Sequence, residues 1–374
     1  MSVSIKEVLT KKDLKTWVRF PTKLYRGNPY YVPFLEADEM DTFTKEKNPA
    51  YDFCQVKLFL AYKNGKVVGR IAGIINRAYN EKWGKSAIRF TRFDYIDDEA
   101  VSQALMQKVI DWGKENGLCA VMGPIGFTDM DHEGMLVEGF DKLNMSITFY
   151  NHPYYLTHME KLGFAKDIDW IEYKVFVPEA ISPRIERMTN HILRKDLYDI
   201  VTYTDRKVLY KEAFEAFKII DIAFSKLYGT VPLTPEIIKH AVDSYIPLVD
   251  LDYICSIKDK SGNIVGFGAM VPSIAKALKK CDGKLFPFGI LRLLKALKGK
   301  NDTVEMFFIA VEPEHQLHGV PMLVTHTLLS QLIRKGVKYC ETGPMLETNG
   351  AVHTMWNFFD KEQHKRRRCY IKSI

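Results

Sequence analysis

The residues best placed to do chemistry lie in Val304–Val324, VEMFFIAVEPEHQLHGVPMLV. The apolar run to Val311 reads as a strand, Gln316-Leu317-His318-Gly319 as a turn, and the periodic run from Pro321 as a helix. A turn feeding a helix N-terminus presents unpaired main-chain N–H groups at the positive end of the helix dipole, where a pyrophosphate binds well. Gly319 has no side chain to obstruct a phosphate. The amides of Gln316, Leu317, His318, Gly319 and Val320 are the expected donors. Pro321 suits the first helical turn and removes one donor. The same residues also make an ordinary strand-to-helix turn. On the strand, alternation puts Glu305, Phe307 and Ile309 on one face and Met306 and Phe308 on the other. A carboxylate beside Phe307 is desolvated, which raises its pKa toward the range of a general base. The alternative is a solvated carboxylate at the strand's edge.

A second polar concentration is GPIGFTDMDHEGMLVEGFD, with Asp129, Asp131, His132 and Glu133 in a glycine-punctuated loop. Its spacing matches no calcium loop or zinc pattern, so no metal is expected. Asp129 and Asp131 are read as closing over a substrate and attracting a cationic amine, or else as solvated turn acids. Asn151, Tyr154 and Tyr155, in NHPYYLTHMEKLGF, would line that site, or sit in the core with satisfied hydroxyls. In NGAVHTMWNFF, Asn349 fits a helix N-cap and His353 a helix-surface position.

These groups need a scaffold, and the chain writes one twice. LFLAYKNGKVVGRIAGII (Leu58–Ile75) and YICSIKDKSGNIVGFGAMV (Tyr253–Val271) are both apolar pairs around a Gly turn, the pattern of a β-hairpin. GLCAVMGP (Gly117–Pro124) echoes GVKYCETGP (Gly336–Pro344), and an amphipathic helix precedes each. The joint is VPEAISPR, Val177–Arg184. The expectation is an α/β chain of two tandem units, 1–178 and 184–374, each a mixed twisted sheet flanked by helices. Two unrelated α/β units with similar hairpins are the alternative. At 374 residues, 47% hydrophobic and 26% charged, the chain has the size and composition of about two globular domains. Six scattered cysteines without a C-x-x-C pair argue against a disulfide framework or a zinc site.

The order hairpin, strand, Q-x-x-G turn, helix, strand, asparagine and aromatic helix resembles the GNAT acyl-CoA N-acyltransferase superfamily. The first half resembles it in NGKVVGRIAGI and YYLTHMEKLGF, the second in EMFFIAVEPEHQLHG and ETNGAVHTMWNFF. The resemblance implies acetyl-CoA or a longer acyl-CoA as co-substrate. Its thioester arm would lie along the strand through Ala310 and Val311, its pyrophosphate on the Gln316–Val320 amides, and Asn349 would meet the pantetheine. Glu305, fourteen residues before Gly319, matches the family's strand glutamate that serves as general base. The chain departs from the family at Pro321, where a small residue is usual, and in lacking a tyrosine in the last helix. His353, Tyr339 or a water is then left to protonate the leaving thiolate. The first half has an acidic turn, Asp94, Asp97, Asp98 and Glu99, that would repel phosphates. One cofactor site is expected, in the second half.

Residues 275–300 read as an insertion in the second copy. Lys276, Lys279, Lys280, Lys284, Arg292, Lys295, Lys298 and Lys300 stand there against a lone Asp282, within a chain of net charge +7. From Ile290 a short basic amphipathic helix puts Ile290, Leu293, Leu294 and Leu297 on one side. Such a segment, 284–300, lies on an anionic membrane surface or covers the sheet with solvated lysines. No basic stripe carries interleaved aromatics, so no nucleic acid is expected. The absence of a long apolar run and of a signal-peptide core gives a cytoplasmic expectation, with peripheral membrane contact through the insertion. The functional expectation is N-acylation of a small-molecule amine. The alternatives are a lipid or sphingoid amine at the membrane surface, or a non-catalytic scaffold that binds acyl-CoA or lipid.

Overall fold

The computed structural model describes every residue except 1 and 248. The first half contributes strands β1 (Ser4–Glu7), β2 (Cys54–Lys63), β3 (Lys66–Asn76), β4 (Ala87–Tyr95), β5 (Ala120–Gly123), β6 (Met135–Glu138) and β7 (Ala165–Phe176). The second contributes β8 (Tyr198–Thr202), β9 (Ile254–Asp259), β10 (Ile264–Pro272), β11 (Thr303–Val311), β12 (Tyr339–Glu341), β13 (Met345–Leu346) and β14 (Lys361–Ser373). The order of elements repeats, down to the helices Glu99–Glu115 and Val320–Arg334 that follow β4 and β11. Both hairpins expected from the sequence form. Asn64 and Gly65 take φ of 54° and 72° at the first, as a tight hairpin turn requires.

The two sheets are fused into one. The strand path runs β1-β2-β3-β4-β5-β14-β7-β12-β11-β10-β9-β8. β14, the last strand of the second half, pairs with β5 of the first, and β7, the last strand of the first half, pairs with β12 of the second. β14 and β7 lie antiparallel at the centre. Each half is thus completed by the other's final strand, about a pseudo-twofold axis between β14 and β7.

The helices that follow β4 and β11 bury their apolar stripes against the hairpins. Gly69 makes room for Leu105, and its counterpart Gly266 makes room for Val320. A Cβ at either position would lie 2.7 Å from the helix side chain. Val101, Leu105, Val109 and their neighbours fill one core, and Leu323, Val324 and Leu328 another. Burying each such side chain contributes about 1.5–3 kcal/mol. On the opposite face of the second-half sheet, the Arg206–Phe224 and Pro235–Tyr245 helices cover β10 and β11.

The insertion forms two helices, Ala275–Cys281 and Gly289–Lys298. Val32 of the first half packs into its small core with Leu278 and Leu293. Among the described residues no helix is long and apolar enough to cross a membrane.

Candidate active site

β11 carries the site because it stops pairing on one side. It runs parallel to β12 only from Thr303–Tyr339 to Glu305–Glu341. Beyond that point β12 continues toward β7: the Thr342 N–H donates to Tyr173 O (2.9 Å), and β13 pairs with Trp170 and Ile171. The strands splay, and from Met306 onward β11 is paired only with β10. The free edge offers main-chain donors and acceptors to an extended ligand. A bulge between Phe308 and Met306 reverses the alternation beyond it. Phe307 and Phe308 therefore both face the Arg206–Phe224 and Pro235–Tyr245 helices, whereas Ile309 turns to the Val320–Arg334 side. This corrects the simple alternation: Ile309 does not share a face with Glu305.

Glu305 is 2% exposed and lies between the halves. Ser273 Oγ donates to Oε1 (2.6 Å), and Ser146 Oγ and N–H donate to Oε2 (2.8 and 3.4 Å). Burial raises its pKa above the usual glutamate value, and the two serine hydroxyls pull it partway back. A buried ionic chain continues from it. Glu341 is its neighbour on β12, Lys365 Nζ reaches Glu341 Oε2 (3.1 Å) and Glu172 Oε2 (3.2 Å), and Arg367 pairs with Glu172. Against the cost of burial, Arg367 and Lys365 hold the Glu172 pKa at about 2. Burial and Lys365 push His364 down to about 3, so it is neutral at pH 7. Three carboxylates thus share Lys365 and Arg367, and Glu305 is the one that makes no ion pair among the described residues.

The expected cofactor residues lie on the free part of β11 or follow it in the chain. Gly319 takes φ 89° between a 3-10 turn, Pro313–His318, and the Val320–Arg334 helix. Among the described residues the Gly319 and Val320 N–H groups find no main-chain acceptor, so they remain donors. Gln316 folds its side chain back onto Val311 O (3.0 Å), and Leu317 and His318 project outward. One flank of the loop is closed: a Cβ at 319 would lie 2.4 Å from Ile192 Cδ1 of the Pro183–Leu193 helix. The glycine is therefore required by packing as well as by conformation. Asn349 caps the Gly350–Met355 helix, accepting from the Val352 N–H (3.4 Å). Ala310 is buried among the Arg206–Phe224 side cluster, so only its main chain faces the groove.

His353 is held rather than free. Its Nε2 lies 2.9 Å from Leu346 O and its Nδ1 3.2 Å from the Tyr173 hydroxyl. The carbonyl places the proton on Nε2 and leaves Nδ1 to accept from Tyr173. Tyr173 belongs to β7 and stands opposite Thr342, where the strands part. A tyrosine of the other half thus stands beside the last helix. Sequence reasoning also missed Ser146, Ser273 and Lys365.

The expected first-half substrate residues go elsewhere. β4 and β5 also splay after Arg89–Met122, but the gap is filled from within. Tyr155 Oη bonds the Tyr95 N–H (3.0 Å) and Tyr154 Oη the Tyr95 carbonyl, while Asn151 bonds the Leu136 N–H and C=O. Asn151 and Tyr155 are core residues, 3% and 0% exposed. Asp131 is neutralised: Arg92 (2.9 Å) and His132 hold its pKa well below the carboxylate range despite its burial. Asp129 is desolvated and its pKa raised by burial, as is that of Glu133 beside it. Neither Asp129 nor Asp131 is a solvated acid awaiting a cation. Among the described residues no group of three or more His, Cys, Asp or Glu could hold a metal. A separate cleft of about 200 Å³ lies between Pro21, Glu36 and Lys284 and reaches neither Glu305 nor the groove.

A hairpin, a splayed strand, a turn and a packed helix, present in each half with the final strands exchanged, make up the tandem GNAT fold, and this chain has it. Among solved structures it is similar to the tandem GNAT protein from the clavulanic acid biosynthesis pathway, at a TM-score of 0.57 and 12% identity, covering 100% of this chain and 98% of that one. It is also similar to a GCN5-related N-acetyltransferase from Sphaerobacter thermophilus, at a TM-score of 0.52 and 11% identity, covering 99% and 95%. In sequence it is similar to Protein YghO of Escherichia coli (strain K12), 29% identical over 381 residues, covering 99% of this chain and 95% of that protein. It is 27% identical over 383 residues to the bacterial ceramide synthase of Caulobacter vibrioides, covering 100% and 98%. No family model matches the chain.

Proposed function

We propose that the protein is an acyl-CoA-dependent N-acyltransferase with a single active site at the β11–β12 splay. The observation that carries this reading is Glu305, a buried carboxylate with a raised pKa, at the point where the free edge of β11 begins. Glu305 takes the proton of an incoming ammonium, and its unpaired charge favours that cation. The freed amine attacks the thioester carbonyl; the C–N bond forms and the C–S bond breaks. Main-chain N–H groups on the free β11 edge receive the developing oxyanion. The Tyr173 hydroxyl, placed by His353, turns its proton from His353 Nδ1 to the departing thiolate and is reprotonated by the second proton of the attacking nitrogen, so that amide and free thiol form with one proton left on Glu305. The Gly319 and Val320 amides hold the pyrophosphate. Met306, Met345 and Met355, partly buried around the splay, give an adaptable apolar wall for an acyl chain.

For the acceptor, the reading supported best is a lipid amine of the sphingoid class. A relative spanning the whole chain is named a ceramide synthase, and the insertion leaves and rejoins the sheet beside Glu305, with the Ser273 N–H bonded to Thr303 O. The test is thiol release with mass detection of the amide, using acetyl- and long-chain acyl-CoA against short polar amines and long-chain amines. Long-chain amines should be acylated, and Glu305→Gln should abolish most of the turnover. Thiol release no greater than that of Glu305→Gln with every pair would leave the scaffold reading.

A further inference from the structure

Among the described residues, five of the thirteen exposed large apolar side chains crowd into residues 286–294: Phe286 (77% exposed), Phe288 (63%), Ile290, Leu291 (62%) and Leu294. The insertion has already buried what it can, through Leu278, Leu293 and their neighbours, so this row is surplus to its own core. A contiguous apolar patch on an otherwise polar surface marks a contact site. Lys280, Lys284, Lys295, Lys298 and Lys300 flank it along the chain, and none has an ion-pair partner among the described residues. Lys279 is different, because it caps the carbonyls of Asn28, Pro29 and Tyr31 and anchors the insertion to the first half.

We infer that residues 284–300 dock the protein onto an anionic lipid bilayer, with Phe286, Phe288 and Leu291 entering the interface and the free lysines meeting the headgroups. Exposed apolar side chains flanked by unpaired cations match that surface on both counts. A protein partner would have to supply a carboxylate for each lysine, whereas a bilayer supplies diffuse negative charge. The strap is rooted at Ser273 and Thr303, within hydrogen-bond reach of Glu305 and two residues from it respectively. Docking therefore brings the interface close to the acceptor side of the site. The inference stands apart from the transferase reading, since binding is read without turnover.

The test is flotation of the full chain with phosphatidylcholine vesicles, with and without phosphatidylglycerol. The expected result is binding to the anionic vesicles that weakens as salt rises. Each charge removed in Lys284→Gln and Lys298→Gln should weaken it about fivefold. The triple variant Phe286→Ser, Phe288→Ser, Leu291→Ser should weaken it at least about tenfold, with an unchanged melting temperature because these side chains are exposed. No binding to anionic vesicles at low salt would overturn the inference, as would equal binding by the triple variant. A concentration-dependent dimer, seen without lipid and lost in the triple variant, would also overturn it by assigning the patch to a second copy of the chain.

Discussion

Replacing Glu305 by glutamine removes the proposed proton acceptor while keeping its shape. Glutamine retains one carbonyl for a serine hydroxyl and offers its amide to the other, so the Ser273 and Ser146 contacts at 2.6 and 2.8 Å survive. A positioned general base contributes roughly 10²–10⁴ in rate, about 3–5 kcal/mol at 1.36 kcal/mol per tenfold. kcat/KM should fall by that factor. The pH profile sharpens the test. The folded pKa of Glu305 is raised, so the wild-type acid limb should lie above the ordinary glutamate range and be absent in Glu305→Gln. Stability should move the other way. A raised pKa means that ionised Glu305 costs folding free energy above its folded pKa, a cost glutamine does not carry. The variant should melt at the same temperature or higher at pH 8, with the difference vanishing in acid. A rate loss below tenfold, or a loss that tracks a fall in melting temperature, would refute the assignment of Glu305 as base.

Three other perturbations follow from the same geometry. Ser146→Ala removes the Oγ hydrogen bond that lowers the Glu305 pKa and keeps the main-chain one, so the acid limb should move up by about one unit, a donor to a charged group being worth roughly 1.5–3 kcal/mol before water replaces it; a pH–rate profile reads this. Tyr173→Phe should lower kcat about 10–100-fold with little change in the KM for acyl donor, and His353→Gln should do less, because the imidazole only positions the hydroxyl. Lys365→Met strips Glu341 of its cation and leaves Glu172 with Arg367 alone, and should cost about 3–5 kcal/mol by urea denaturation. In the wild type, Glu172 stabilises the fold above the unfolded glutamate pKa of about 4.3, and that contribution is lost as pH falls toward about 2.

The sequence made the repeat, the hairpins, the strand-turn-helix around Gly319 and the carboxylate on β11 legible, because each is a local pattern: period-two apolar runs, turn glycines, a proline opening a helix. The strand exchange was not legible. Nothing within β7 or β14 says which half will receive it. The site residues that depend on the exchange were hidden with it. Ser146 meets Glu305 across 159 residues and Tyr173 meets His353 across 180. The bulge at Phe307 carries no glycine to announce it, so alternation holds at Glu305 and fails at Ile309. In the first half the clustered acids and tyrosines were visible, but their partners, Arg92 and the Tyr95 main chain, were not.

The central claim is that one half holds the acyl donor along β11, and a crystal structure with bound coenzyme A tests it most directly. The account predicts the pantetheine against the free β11 edge beyond Met306, the thiol near Tyr173, and the pyrophosphate on the Gly319 and Val320 amides. Coenzyme A in the first-half gap beside Tyr95, or nowhere on the protein at saturating concentration, would contradict it.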